Sequence, residues 1–173
     1  MAALVPGLLL FSMPASAWMD MRGNCFKAGH PVEGESLASA LDPAPGCLKY
    51  TELAEAADIL KRYPNMRVEV AGHADSAECT GHACQSLSAR RARAIADHLR
   101  QNGVDPRQIV RVVGYGISRP MVDTERNPSE INHLLNRRVE INMLPVEVRH
   151  RRPQTAQHPV FPAKNGPHRP ADD

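Results

Sequence analysis

Aromatic residues are scarce: three Phe, three Tyr and one Trp among 173 residues. Surfaces on which nucleic-acid bases stack are built from such rings, so a base-stacking protein is disfavoured. Net charge is also small, since 21 Lys and Arg stand against 19 Asp and Glu. Without a strong positive excess, composition gives no reason to expect nucleic acid as a partner. Beyond residue 18 no apolar run reaches the length of a membrane-spanning helix. The Gly-rich stretch "GYGISRP" lacks GxGxxG spacing and follows a strand without opening a helix, which disfavours nucleotide binding. No GxSxG elbow surrounds Ser76 or Ser86, and no two acids share an obvious cleft position. Catalysis by an activated nucleophile or by paired carboxylates is therefore not expected. CxxC and HExxH are both missing, and no cofactor is implied.

What is present begins with "MAALVPGLLLFSMPASAW". Ala2 to Met13 form an apolar segment, and Ala15-Ser16-Ala17 fits a small-x-small cleavage site before Trp18, so residues 1–17 read as a signal peptide. No Lys or Arg precedes the apolar segment, which a start assigned too far downstream would explain. The segment is too short for a membrane anchor, and Pro6 and Pro14 interrupt it. No small-residue lipobox precedes Cys25 or Cys47, so no lipid anchor is expected. At the other end, residues 149–173 are basic, Pro-rich and without apolar periodicity, and read as a disordered tail.

Four cysteines in an exported chain are most simply two disulfides. Three connectivities are open, and local pairing, Cys25 with Cys47 and Cys79 with Cys84, is the simplest. The alternatives are free thiols and a metal held by His73, Cys79, His82 and Cys84, although the spacing of those four matches no standard zinc pattern.

Residues 18–47 are Gly- and Pro-rich, with a short strand expected near Met21 to Lys27. Leu53, Ala56, Ala57, Leu60 and Tyr63 recur at helical spacing, and Pro64 stops that helix. Arg67 to Gly72 alternates, with Val68 and Val70 inward and Arg67 and Glu69 outward, which predicts a strand with one buried face. Leu87, Ala92, Ile95, Ala96 and Leu99 predict a second helix over Leu87–Arg100, ended by Asn102-Gly103. Asp105-Pro106 predicts a short turn of helix. Strands follow at Ile109–Val113 and Arg137–Leu144, joined by a polar connection with some helical character over 121–135. The order (β)-α-β-α-β-β predicts an α/β, two-layer sandwich: a mixed sheet with helices on one face.

One charge arrangement stands out. Asp75 follows the end of a strand, and Arg90 and Arg91 sit early in the next helix. In a βα unit these ends share one edge of the sheet. A carboxylate and a guanidinium held there suit a zwitterion, the acid taking an ammonium and the arginine a carboxylate. A direct Asp75–Arg91 salt bridge is the simpler alternative, and the residues alone leave both open.

From about Leu48 to Leu144 the segments "VEVAGHAD", "LSARRARAIADHLRQNGV", "VVGYGISRP" and "NRRVEIN" resemble, in order and spacing, the C-terminal domain of the OmpA family, shared by OmpA-like, Pal-like and MotB-like proteins. The resemblance implies an OmpA-like domain over 48–148 that binds peptidoglycan without cleaving it, in the periplasm and associated with cell wall or outer membrane. It implies meso-diaminopimelate of the stem peptide as ligand, Asp75 as the binding acid and Arg91 as the binding arginine. Ala74, Leu87, Arg90, Asn136, Arg137 and Arg138 would support the site, and no metal is implied. Truncating Asp75 or Arg91 to Ala is expected to abolish most binding without unfolding the domain. The chain departs from the family at Cys84, where Asn is usual, and in a loop one residue longer, which a Cys79–Cys84 bridge would restrain. Ala74 stands where Thr is commoner. The usual F-x-F opening is absent, and no β-barrel precedes the domain, so a free-standing exported domain is expected. Two other readings compete with cell-wall binding: a periplasmic metal protein using the Cys/His loop, and a scaffold whose basic tail and domain surface bind another envelope protein.

Overall fold

The computed structural model describes residues 23–145. The expected signal peptide and basic tail lie outside those residues. The first strand, β1, is only Asn24–Cys25, and a short helix α1 follows at Leu37–Ala40. Helix α2 spans Tyr50–Arg62, and its buried residues are Leu53, Ala56, Ala57 and Leu60, the spacing of one helical face. Tyr63, expected on that face, is instead the C-cap and is 54% exposed. Buried Gln108 closes this helix end, its Nε2 donating to the carbonyls of Leu60 and Tyr63 at 2.9 and 3.0 Å.

Strand β2 is Val68–Gly72 and helix α3 is Gly81–Gln101. The helix starts well before Leu87; its first turns, with only Ala83 and Cys84 apolar, carry no apolar stripe to read. A 3₁₀ turn at Pro106–Gln108 leads into β3, Ile109–Gly114. Asp105 caps that turn by accepting the Arg107 N–H, as the Asp-Pro pair predicts. Helix α4, Glu130–Asn136, is capped by Ser129, and β4 runs Arg138–Met143.

The four strands lie in the order β1-β4-β2-β3. β2 and β3 are parallel, with α3 as their crossover, while β4 runs antiparallel to both β1 and β2. Val68, Val70, Ile109, Val139 and Ile141 join one apolar cluster with Leu53, Leu60, Ala92, Ile95 and Leu99 of the helices. Alternate residues, Glu69, Arg111, Glu140 and Asn142, occupy the opposite face. The expected mixed sheet with helices on one face is the fold observed.

Strand β2 nevertheless buries all five of its residues, not one face. Glu69 is covered by neighbours on the open face: Arg111 Nη1 donates to it at 2.9 Å and the Tyr115 hydroxyl at 3.2 Å. Helix α3 lies unusually close to the strand ends. A Cβ at Gly72 would meet the Ser88 carbonyl, and one at Gly114 would meet the Ala89 backbone. Among the described residues no helix is long and apolar enough to cross a membrane.

Candidate functional site

The end of β2 is fixed from both sides before the chain reaches Asp75. His73 N–H donates to the Arg138 carbonyl at 2.8 Å and Ala74 N–H to the Gly116 carbonyl at 2.9 Å. Asp75 itself is 1% exposed. Its Oδ1 accepts from Ala77 N–H at 2.9 Å and faces His133 Nδ1 at 2.7 Å. Its Oδ2 accepts from Asn136 Nδ2 at 3.0 Å. Burial works to raise the Asp75 pKa, but the Ala77, Asn136 and His133 contacts outweigh it and the net shift is downward. The carboxylate is therefore ionised at neutral pH.

Asn136 also shapes the wall beside it. Its side-chain oxygen accepts from the N–H groups of Met121 and Val122 at 2.8 and 3.0 Å, which folds the 120–124 segment around Asp75. The result is a pocket of about 260 Å³. Ala74, Asp75, Asp123, Glu125 and Asn136 supply much of its lining, with Ile117, Pro120 and Val122 as apolar walls. Asp123 and Glu125 are exposed at the mouth, Asp123 pairing with Arg126 at 3.4 Å, and the lining holds three acids and no Lys or Arg, which suits a cation.

Arg91 does not face this pocket and does not pair with Asp75. It is 0% exposed, and its guanidinium lies against Glu78, with Nη1–Oε1 and Nη2–Oε2 distances of 2.6 and 2.7 Å. Nε donates to the His30 carbonyl at 2.8 Å, Nη1 to His73 at 3.1 Å and Nη2 to Lys27 at 3.1 Å. The Phe26 ring lies 5.3 Å from the guanidinium carbon. Burial lowers the Arg91 pKa, and Glu78 acts against that. This burial stands against the expectation that Arg91→Ala leaves the fold intact.

The supporting residues have divided roles. Ala74 and Asn136 line the pocket, while Leu87 is a core side chain. Arg90 is exposed and reaches the Pro31 carbonyl at 3.4 Å. Arg137 is buried and pairs with Glu130 at 2.5 Å, beside the pocket's helix. Arg138 points to the open sheet face, where it holds Glu140 at 2.6 Å. The His73 ring, 3.8 Å away, and Arg138 keep the Glu140 carboxyl down at about 2.

Both disulfides are local, Cys25–Cys47 and Cys79–Cys84, with Cα separations of 5.4 and 5.1 Å. Their sulfurs are thus committed, and among the described residues no three His, Cys, Asp or Glu side chains gather as a metal cage. Sequence reasoning missed Glu78 and His133. Glu78 had one signal: an acid next to a cysteine, between Asp75 and Arg91, in a lengthened loop.

Residues 48–133 match the family model described as the OmpA family. Among curated proteins, the chain is 42% identical over 94 residues to outer membrane porin F of Pseudomonas fluorescens, covering 54% of this chain and 27% of that one. It is 42% identical over 84 residues to the peptidoglycan-associated lipoprotein of Legionella pneumophila, covering 49% of this chain and 45% of the relative. The match thus spans less than half the length of either. Among solved structures, the peptidoglycan-associated lipoprotein of Burkholderia pseudomallei superposes with a TM-score of 0.49 at 24% identity, covering 54% of this chain and 75% of that one. Through residues 48–133, the chain belongs to the OmpA family.

Proposed function

We propose that this chain is a non-catalytic peptidoglycan-binding module of the cell envelope, located in the periplasm, and that it takes the diaminopimelate of a stem peptide beside Asp75. The observation that carries this reading is the family match, which includes a relative named for its association with peptidoglycan. The acidic pocket supports it. Asp75 is ionised at the base, Asp123 and Glu125 flank the mouth, and the apolar walls suit the methylene chain of a diamino acid.

In this reading Asp75 holds the ligand's ammonium. Arg91 acts as a positioning residue: it donates to the His73 carbonyl, and its partner Glu78 accepts the Asp75 N–H at 3.0 Å. Together they fix the backbone on either side of the binding carboxylate.

Co-sedimentation with diaminopimelate-type sacculi tests the reading. The wild-type chain is expected to pellet, and Asp75→Ala to remain in the supernatant with an unchanged far-UV circular dichroism spectrum. Losing a charge-assisted contact weakens binding by about 1.5–3 kcal/mol. Equal pelleting of the two would remove Asp75 from the site. A wild type that never pelleted would sink the cell-wall reading itself.

A further inference from the structure

Building on the peptidoglycan-binding reading, we infer that Glu78 permanently fills the place where a ligand carboxylate would meet Arg91. The domain then selects its ligand by the ammonium and is indifferent to the carboxylate next to it. Glu78 is a specificity-determining residue.

A guanidinium has five N–H donors. All five of Arg91's are spent: one each on the carbonyls of Lys27, His30 and His73, and two on Glu78. None is left for a ligand. Glu78 is equally committed, since its Oε1 also accepts from Asp75 N–H at 3.0 Å and its Oε2 from Gly29 N–H at 2.8 Å. The two side chains are 0% and 2% exposed.

An incoming carboxylate would replace one bidentate carboxylate with another, so the exchange gains no ion pair. It would strand the N–H groups of Gly29 and Asp75 and expel a buried charge from its partner. The competition is also unequal in concentration. Glu78 directly precedes Cys79, whose sulfur is bonded to Cys84 in α3. Cys84 and Arg91 are seven residues apart on that helix, two turns on one face. The bridge therefore holds the carboxylate over its guanidinium, at an effective concentration on the order of millimolar or above. Asp75 keeps its own partners, Ala77, Asn136 and His133, but no basic side chain ties it as Arg91 ties Glu78 at both oxygens, and it lines an open pocket with Glu125 exposed at the mouth and Asp123 paired with Arg126 at 3.4 Å. The ligand class is a wall peptide with a side-chain ammonium, the neighbouring carboxylate being free or amidated.

Two synthetic probes decide the matter by calorimetry on the oxidised full-length chain. One is a stem peptide carrying meso-diaminopimelate. The other is the same peptide with the carboxylate beside the side-chain ammonium converted to an amide. The expected result is Kd values within about twofold of each other for the wild type, and an acid preference of about tenfold or more in folded Glu78→Gln, where Arg91 lacks its anion. A wild type that prefers the free acid by about tenfold overturns the inference and leaves the cell-wall reading standing. A folded Glu78→Gln without preference also overturns it. Failure of the wild type to bind either probe removes both. The wild-type comparison is decisive even if the variant does not fold.

Discussion

Arg91 holds a full charge with none of its surface in contact with water. Such a charge is tolerable only because an anion and three carbonyls surround it. Arg91→Ala would leave Glu78 as a buried carboxylate without a cation. The expected loss is about 3–5 kcal/mol of stability, the range for breaking a buried ion pair from one side. Urea unfolding of the variant beside the wild type measures it, and an unchanged midpoint would contradict the geometry. Asp75 differs in kind. It is buried too, yet it forms part of the wall of an open pocket. The sequence signalled both residues by their place at the β2–α3 edge, but it did not signal their partners. His133 lies 58 residues from Asp75, in a connection whose periodicity was too weak to orient any side chain.

The elements were legible where one face is apolar and unreadable where side chains bond to backbone. Strands β3 and β4 and the end of α3 stand where alternation, helical spacing and the Asn-Gly stop put them. The start of α3 was hidden, because Gly81 to Ser86 present a disulfide and polar groups instead of an apolar stripe. α1 was invisible for a related reason: a helix of four residues is too short to show a period. The seat of α3 on the sheet depends on two glycines that no periodicity flags. Gly72→Ala places a methyl group against the Ser88 carbonyl and has to push the helix off the strand ends. Overpacking of this kind costs about 1–3 kcal/mol. The expected signature is a lower thermal midpoint together with faster amide exchange at His73 and Ala74, whose hydrogen bonds hold the site's edge. Unchanged exchange at those amides would mean that the helix seat and the site are independent.

At the scale of the molecule, the family match and the folded unit have different borders. The match begins at residue 48, yet Lys27, Gly29 and His30 complete the Arg91–Glu78 cluster, and Phe26 and Leu41 belong to the main core. A chain cut at residue 48 therefore loses core volume, two of the carbonyls on Arg91 and the strand paired with β4. It is expected to be unfolded or molten, whereas a chain begun at residue 18 folds; near-UV circular dichroism of the two separates them. A native spectrum from the shorter chain would show that the N-terminal segment only decorates the domain. Composition made the compact middle legible, but not this border, because an irregular segment leaves no periodic trace of what it packs against.

The pairing of β1 with β4 has a consequence in time. Asn24 lies opposite Val139, so the first described strand finds its partner only after nearly all the described chain has been made. Contacts of such long range form late and slowly. Cys25 and Cys47 are separated by only 22 positions, so their bridge does not depend on β4 being in place. A bridge closed first would confine the segment bearing the Lys27 and His30 carbonyls to one short loop. The last strand to arrive then completes a sheet whose far edge has already been gathered up.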